Sequence, residues 1–94
     1  MDKIISQAIE IFGEDIQLTV AVEELSELTK EICKYKRGNN NKSEILEEMA
    51  DCYIVLAELQ QIFQIDSNDL NNMIKYKIER LKRRMVNQYD REAN

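Results

Sequence analysis

The chain contains no proline and only two glycines, Gly13 and Gly38, in 94 residues. Hairpins and tight turns depend on residues that preset φ or tolerate positive φ, so a turn-rich sheet protein has almost nothing to turn on here. Helix-forming residues fill the intervening stretches, and the pattern predicts an all-α fold. A domain this short buries only about 60–65% of the surface that its unfolded chain exposes. Its own core is therefore modest, and oligomerisation is expected to complete it.

Apolar spacing divides the chain into four helical segments within one domain spanning residues 1–94. Residues 2–12 place Ile4, Ile5, Ala8, Ile9 and Phe12 on one face, and Gly13 ends the segment at a C′ position. From Asp15 to Arg37, the residues Leu18, Ala21, Val22, Leu25, Leu28 and Ile32 recur at three- and four-residue steps until the run Gly38-Asn39-Asn40-Asn41. Lys34, Lys36 and Arg37 suit the negative end of that helix's dipole. Ser43 is the expected cap of a third helix, with Leu46 to Gln64 following, and Asp66 or Ser67 the expected cap of a last helix running to about Asn87. The short connection between the second and third helices makes them an antiparallel pair.

Composition then removes whole classes of chemistry. With no histidine, imidazole zinc sites, Ser-His-Asp and Cys-His catalysis, and di-iron bundles built on Glu-x-x-His are all excluded. Cys33 and Cys52 form no C-x-x-C pair and read as small apolar core residues. No apolar run approaches the ~20 residues that cross a bilayer, and the amino terminus lacks a signal-peptide pattern, so a cytoplasmic protein without membrane contact is expected. Residues 1–74 carry 6 basic against 15 acidic side chains, and residues 75–94 carry 7 against 3. An acidic body does not suit nucleic acid, whereas the basic stretch fits a small anionic ligand.

The acids themselves stand in unexpected places. At 100° per residue, Glu24 lies beside Leu28, Ala21 and Ile32 on the second helix, with Gln17, Glu31 and Glu27 close to it and Glu23 further round. On the third helix, Leu59, Cys52, Ile45, Leu56 and Met49 lie to one side of Glu48 and Val55 to the other, with Asp51 at the edge of this apolar arc. Acids at i,i+3 on helices are commonly a solvated face with lysine partners. Here, however, Glu24, Glu27, Glu48 and Asp51 converge from two antiparallel helices, and uncompensated burial would cost several kcal/mol. Such a set implies a cation. All-oxygen ligands select a hard divalent ion, Mg²⁺ or Mn²⁺, and magnesium commonly shares its shell with substrate phosphates, which points to phosphoryl or nucleotidyl transfer to water.

Three cations on the last helix, Lys77, Arg80 and Arg84, have the i, i+3, i+7 spacing that lets them meet one polyphosphate. The same spacing also suits a solubilising face whose aliphatic stems cover a core edge. Gln17, on the Glu24 face, either reads a base edge or makes an interhelical hydrogen bond. The third helix is apolar nearly all round, with Ala50, Tyr53 and Ile54 away from the Glu48 arc, so a partner subunit is expected to enclose it.

Glu23-Glu24-Leu25-Ser26-Glu27, followed after 20 residues by Glu48-Met49-Ala50-Asp51, resembles the E-E-x-x-E plus E-x-x-D signature of the MazG-type all-α nucleoside triphosphate pyrophosphohydrolases. The break at Gly38 to Asn41 and the Cys52-Tyr53-Ile54-Val55-Leu56 run are similar as well, and the resemblance covers roughly residues 10–90. It implies a four-helix MazG-like bundle forming a homodimer or homotetramer. It also implies Mg²⁺-dependent cleavage of a nucleoside triphosphate between its α and β phosphates, giving a monophosphate and pyrophosphate. Glu24, Glu27, Glu48 and Asp51 would then be catalytic metal ligands, Glu23 a supporting acid, Glu27 the first choice for a water-activating base, and Lys77, Arg80 and Arg84 the phosphate-binding cations. Two other readings compete: a phosphoribosyl-ATP pyrophosphohydrolase, less attractive without a histidine after Asp51-Cys52-Tyr53, and a noncatalytic helical metal-binding or interaction module.

Overall fold

A computed structural model describes residues 1–93. The chain is all-helical, with α1 at Asp2–Phe12, α2 at Glu14–Lys36, α3 at Lys42–Ile62 and α4 at Ser67–Ala93, and no strand among the described residues. It divides into two compact units, one spanning Met1–Gln64 and the other beginning at Ile65.

Gly13 separates α1 from α2 at φ 91° and ψ 153°, a region that only glycine occupies without strain. Its N–H closes α1 on the Ile9 carbonyl at 2.8 Å, and its own carbonyl accepts the Gln17 N–H at 3.1 Å, opening α2. One residue thus ends a helix and begins the next. Ile5 carries α1 into the core, and Gln61 Nε2 of α3 donates to the Asp2 carbonyl at 3.0 Å.

Contacts between α2 and α3 run in opposite directions along the two helices: Gln17 meets Glu58, Glu24 meets Cys52, and Glu31 meets Asn41. The expected antiparallel pair is therefore present. What lies between the helices is only half apolar. Ile5, Ala21, Cys52 and Val55 are the buried apolar residues of the described chain, and they share the interior with Gln17, Glu31, Asn41 and Glu58. Leu25, Ile32, Met49 and Leu56, expected in the core, remain 39–52% exposed. The pair meets along the line of the acids, leaving these four side chains on its flank.

Several local expectations are corrected. Ser43 does not cap α3, because the helix starts at Lys42 after Asn41, and the Ser43 hydroxyl instead donates to Glu44 at 3.0 Å. Asn41 is drawn inward by its bonds to Glu31, which fixes the start of α3 ahead of Ser43. Cys52 is buried, but Cys33 is exposed. Nine residues beyond Glu24, Cys33 falls about 180° away from the side that faces α3. The third helix ends at Ile62 rather than Gln64, which takes a positive φ of 53°.

In the second unit, α4 is capped by Asp66, whose Oδ1 accepts the Asn68 N–H at 2.7 Å and whose carbonyl accepts that of Leu70 at 3.0 Å. It continues past the expected end near Asn87 to Ala93. No glycine or proline follows Asn87 to stop it, and Gln88 bonds Glu92 one turn on at 3.3 Å. Among the described residues, no helix is long and apolar enough to cross a membrane.

Candidate metal centre

Midway along the α2–α3 pair, Glu24, Glu48 and Asp51 bring one carboxylate oxygen each to within 4.8 Å of the others. The i,i+3 step puts Glu48 and Asp51 on one face of α3, one turn apart, and antiparallel packing sets Glu24 opposite them. All three are half-buried. Beneath them, the Cys52 thiol donates to the Glu24 carbonyl at 3.5 Å.

The electrostatics of this group are adverse. The Glu24 carboxyl is raised above its ordinary value, first by burial, then by its hydrogen bond to Asp51 and by the charges of Asp51, Glu48 and Glu27. Glu48 is raised by burial first and then by Asp51, Glu27, Glu31 and Glu47. Burial and the same three carboxylates push the Cys52 thiol up. No lysine or arginine enters the causes of any of these shifts. One oxygen, Glu48 Oε2, is closed off from solvent and has no hydrogen-bond partner.

Converging oxygens, an orphaned buried acceptor and shifts to which no described lysine or arginine contributes fit a hard cation. Magnesium holds oxygen ligands at 2.0–2.1 Å, so neighbouring and opposed ligands lie roughly 3–4 Å apart, a spacing this group already approaches. A bound cation would also reverse both carboxyl shifts.

The remaining candidates divide. Glu27 stands one turn beyond Glu24 but outside the three-oxygen group. It is 49% exposed and lies 3.8 Å from Lys30 in an ion pair. Glu23 is exposed. Gln17 is 5% exposed and donates through Nε2 to Glu58 at 2.9 Å, so of its two readings the interhelical bond is the one observed. Lys77, Arg80 and Arg84 are exposed along α4, with the Lys77 ammonium 5.9 Å from the Tyr76 ring centroid.

The acceptor of the Gln17 bond and the whole Glu31–Asn41 pair are not evident from the helical spacing of the apolar residues. Glu58 is the acceptor for Gln17. Asn41 Nδ2 donates to Glu31 at 2.6 Å and to the Glu31 carbonyl at 2.8 Å. A signal for both existed: Gln17, Glu24 and Glu31 recur every seven residues, as do Asn41 with Glu48 and Asp51 with Glu58. No family profile, curated protein or solved structure matches the chain.

Proposed function

We propose that this protein is a MazG-like nucleoside triphosphate pyrophosphohydrolase that uses Mg²⁺, or Mn²⁺ in its place, to cleave between the α and β phosphates. The observation that carries the reading is the convergence of Glu24, Glu48 and Asp51 with a solvent-free, unpartnered Glu48 oxygen. These three residues would hold the ion, with Glu27, one turn beyond Glu24, as a further ligand. A divalent ion in such a site supplies an activated water and neutralises charge on the departing pyrophosphate.

The chain's own groups have definite tasks in this reading. Glu48 and Asp51, fixed on one face of α3, set the direction from which the phosphates approach. Glu27, the more exposed acid, takes the proton from the attacking water. Lys77, Arg80 and Arg84 bind the substrate's phosphates, where guanidinium forks match phosphate oxygens better than an ammonium does. The fold completes itself as a MazG-like bundle in a homodimer or homotetramer, which covers the half-exposed Leu25, Ile32, Met49 and Leu56.

A panel of nucleoside triphosphates incubated with Mg²⁺ and scored for pyrophosphate against orthophosphate tests this directly. Pyrophosphate and monophosphate are the expected products, with loss of at least about 100-fold in rate for Glu48→Gln at retained helicity. Orthophosphate as the first product would overturn the bond assignment. Unchanged hydrolysis in Glu48→Gln would overturn the site.

A further inference from the structure

The α2–α3 interface carries three polar layers at heptad spacing. Seven residues are about two helical turns, or roughly 10 Å of rise, so the Gln17–Glu58 and Glu31–Asn41 pairs flank the acid group on either side along the helices. The two outer layers are alike in chemistry and reversed in direction. In one, α2 gives the amide and α3 the carboxylate; in the other, Asn41 at the N-cap of α3 gives the amide and α2 the carboxylate. The middle layer has carboxylates from both helices and no amide.

Neither outer pair has the form expected of an interaction kept for stability alone. Glu58 is 5% exposed with Oε2 unpartnered, and Asn41 Oδ1 is likewise buried without a partner. Two apolar side chains of similar size would leave no such orphan, and replacing a matched buried polar pair in this way is often neutral or stabilising. Polar pairs in helical interfaces are best attested as devices that fix register. Register is what the middle layer demands, because three converging carboxyl groups with no amide among them do not themselves hold the two helices in alignment.

We infer that Gln17–Glu58 and Glu31–Asn41 are positioning pairs that lock α2 against α3 in the register and rotation that gather Glu24, Glu48 and Asp51 around one divalent cation. The inference rests on the metal-site reading above. The pairs touch neither ion nor substrate, and they act through the carboxylates they align.

The test is Mn²⁺ titration of the full chain followed by electron paramagnetic resonance, with thermal melts in parallel. For the Gln17→Leu, Glu58→Leu double variant, the expected result is an unchanged or higher Tm with Mn²⁺ affinity reduced about tenfold or more, the range seen when groups supporting metal ligands are removed. The exchanged variant Gln17→Glu, Glu58→Gln rebuilds the bond in reverse and is expected to return affinity to within about threefold of wild type. Wild-type Mn²⁺ affinity in the leucine pair overturns the inference, as does loss of folding in that pair, which would make the pair a source of stability. A wild-type chain that does not bind Mn²⁺ overturns the metal-site reading and the inference together.

Discussion

Glu24 and Glu31 stand on the same side of α2, seven residues apart, and both face α3. Their carboxyls are nevertheless pushed in opposite directions. Glu31 meets the Asn41 amide at 2.6 Å, which lowers its pKa against the opposing effect of burial, with Lys34 at 3.4 Å adding to the lowering. Glu24 meets burial, Asp51 and Glu48, and is raised. One residue type on one helix face therefore becomes a satisfied acid or an unrelieved one, according to whether the facing segment supplies a donor or more acid. The facing segment decides this through Asn41, the N-cap of α3, at one position and Glu48 with Asp51 at the other.

The largest expected effect comes from making the two layers alike. Asn41→Asp replaces the donor facing Glu31 with a carboxylate, leaving the second layer with opposed acids and no supporting amide. A buried acceptor losing its donor, with a like charge added, should lower Tm at pH 7 by on the order of 10 °C. Part of this should return at pH 5, and melts at the two pH values check it. A loss independent of pH would show that shape, not charge, distinguishes the layers.

Gly13→Ala serves as the uncharged contrast. Nothing lies within 4 Å of an added Cβ, so its cost is backbone strain alone, about 1–3 kcal/mol. Denaturant unfolding should register that loss with no change in pH slope or in the response to Mn²⁺. A changed metal response would mean that the acid layer depends on the α1–α2 junction as well as on the α2–α3 register.

Smaller in size but sharper in sign is the pH dependence of the metal-free chain. Glu24 and Glu48 are raised above the ordinary value of 4.5, so their contribution is full below that value and is lost as pH rises through their folded pKa values. Glu31 is lowered, so its contribution is present above 4.5 and is lost as pH falls through its folded value. With a chelator present, Tm should therefore fall by a few degrees between pH 5 and 7.5, and saturating Mn²⁺ should remove most of that fall. Glu48→Gln should flatten the slope and raise the chelated Tm at pH 7. The smallest change is expected from Gln64→Gly, which relieves a left-handed residue at the end of α3 and should stabilise by about 0.5 kcal/mol; its pH slope should match wild type.

The acid layer is more legible in the sequence than the two amide–carboxylate layers. Glu24, Glu48 and Asp51 were visible because acids inside an apolar arc contradict the helical pattern. Glu31–Asn41 escaped notice because Asn41 closes a Gly-Asn-Asn-Asn run that reads as a loop, and nothing local indicates that its side chain turns inward. Glu58 was hidden by an apolar neighbourhood in which one further acid on a long helix reads as solvent-facing. Leu25, Ile32, Met49 and Leu56 fall in the expected core and yet stand on the flank, because periodicity identifies an apolar face but not which edge of it the neighbouring helix covers. The end of α3 was misplaced by two residues because Gln64 adopts a conformation that glycine usually announces.

Whether the middle layer holds a divalent cation decides between a metal centre and a merely acidic seam. Isothermal titration of Mg²⁺ into the wild-type chain at pH 6, repeated in buffers of different ionisation enthalpy, measures binding and proton release together. Because Glu24 and Glu48 have raised carboxyls that a cation would bring down, the account predicts saturable binding with protons released, both abolished in Glu48→Gln. Absence of saturable binding in the wild-type chain, or binding that survives Glu48→Gln unchanged, would contradict it.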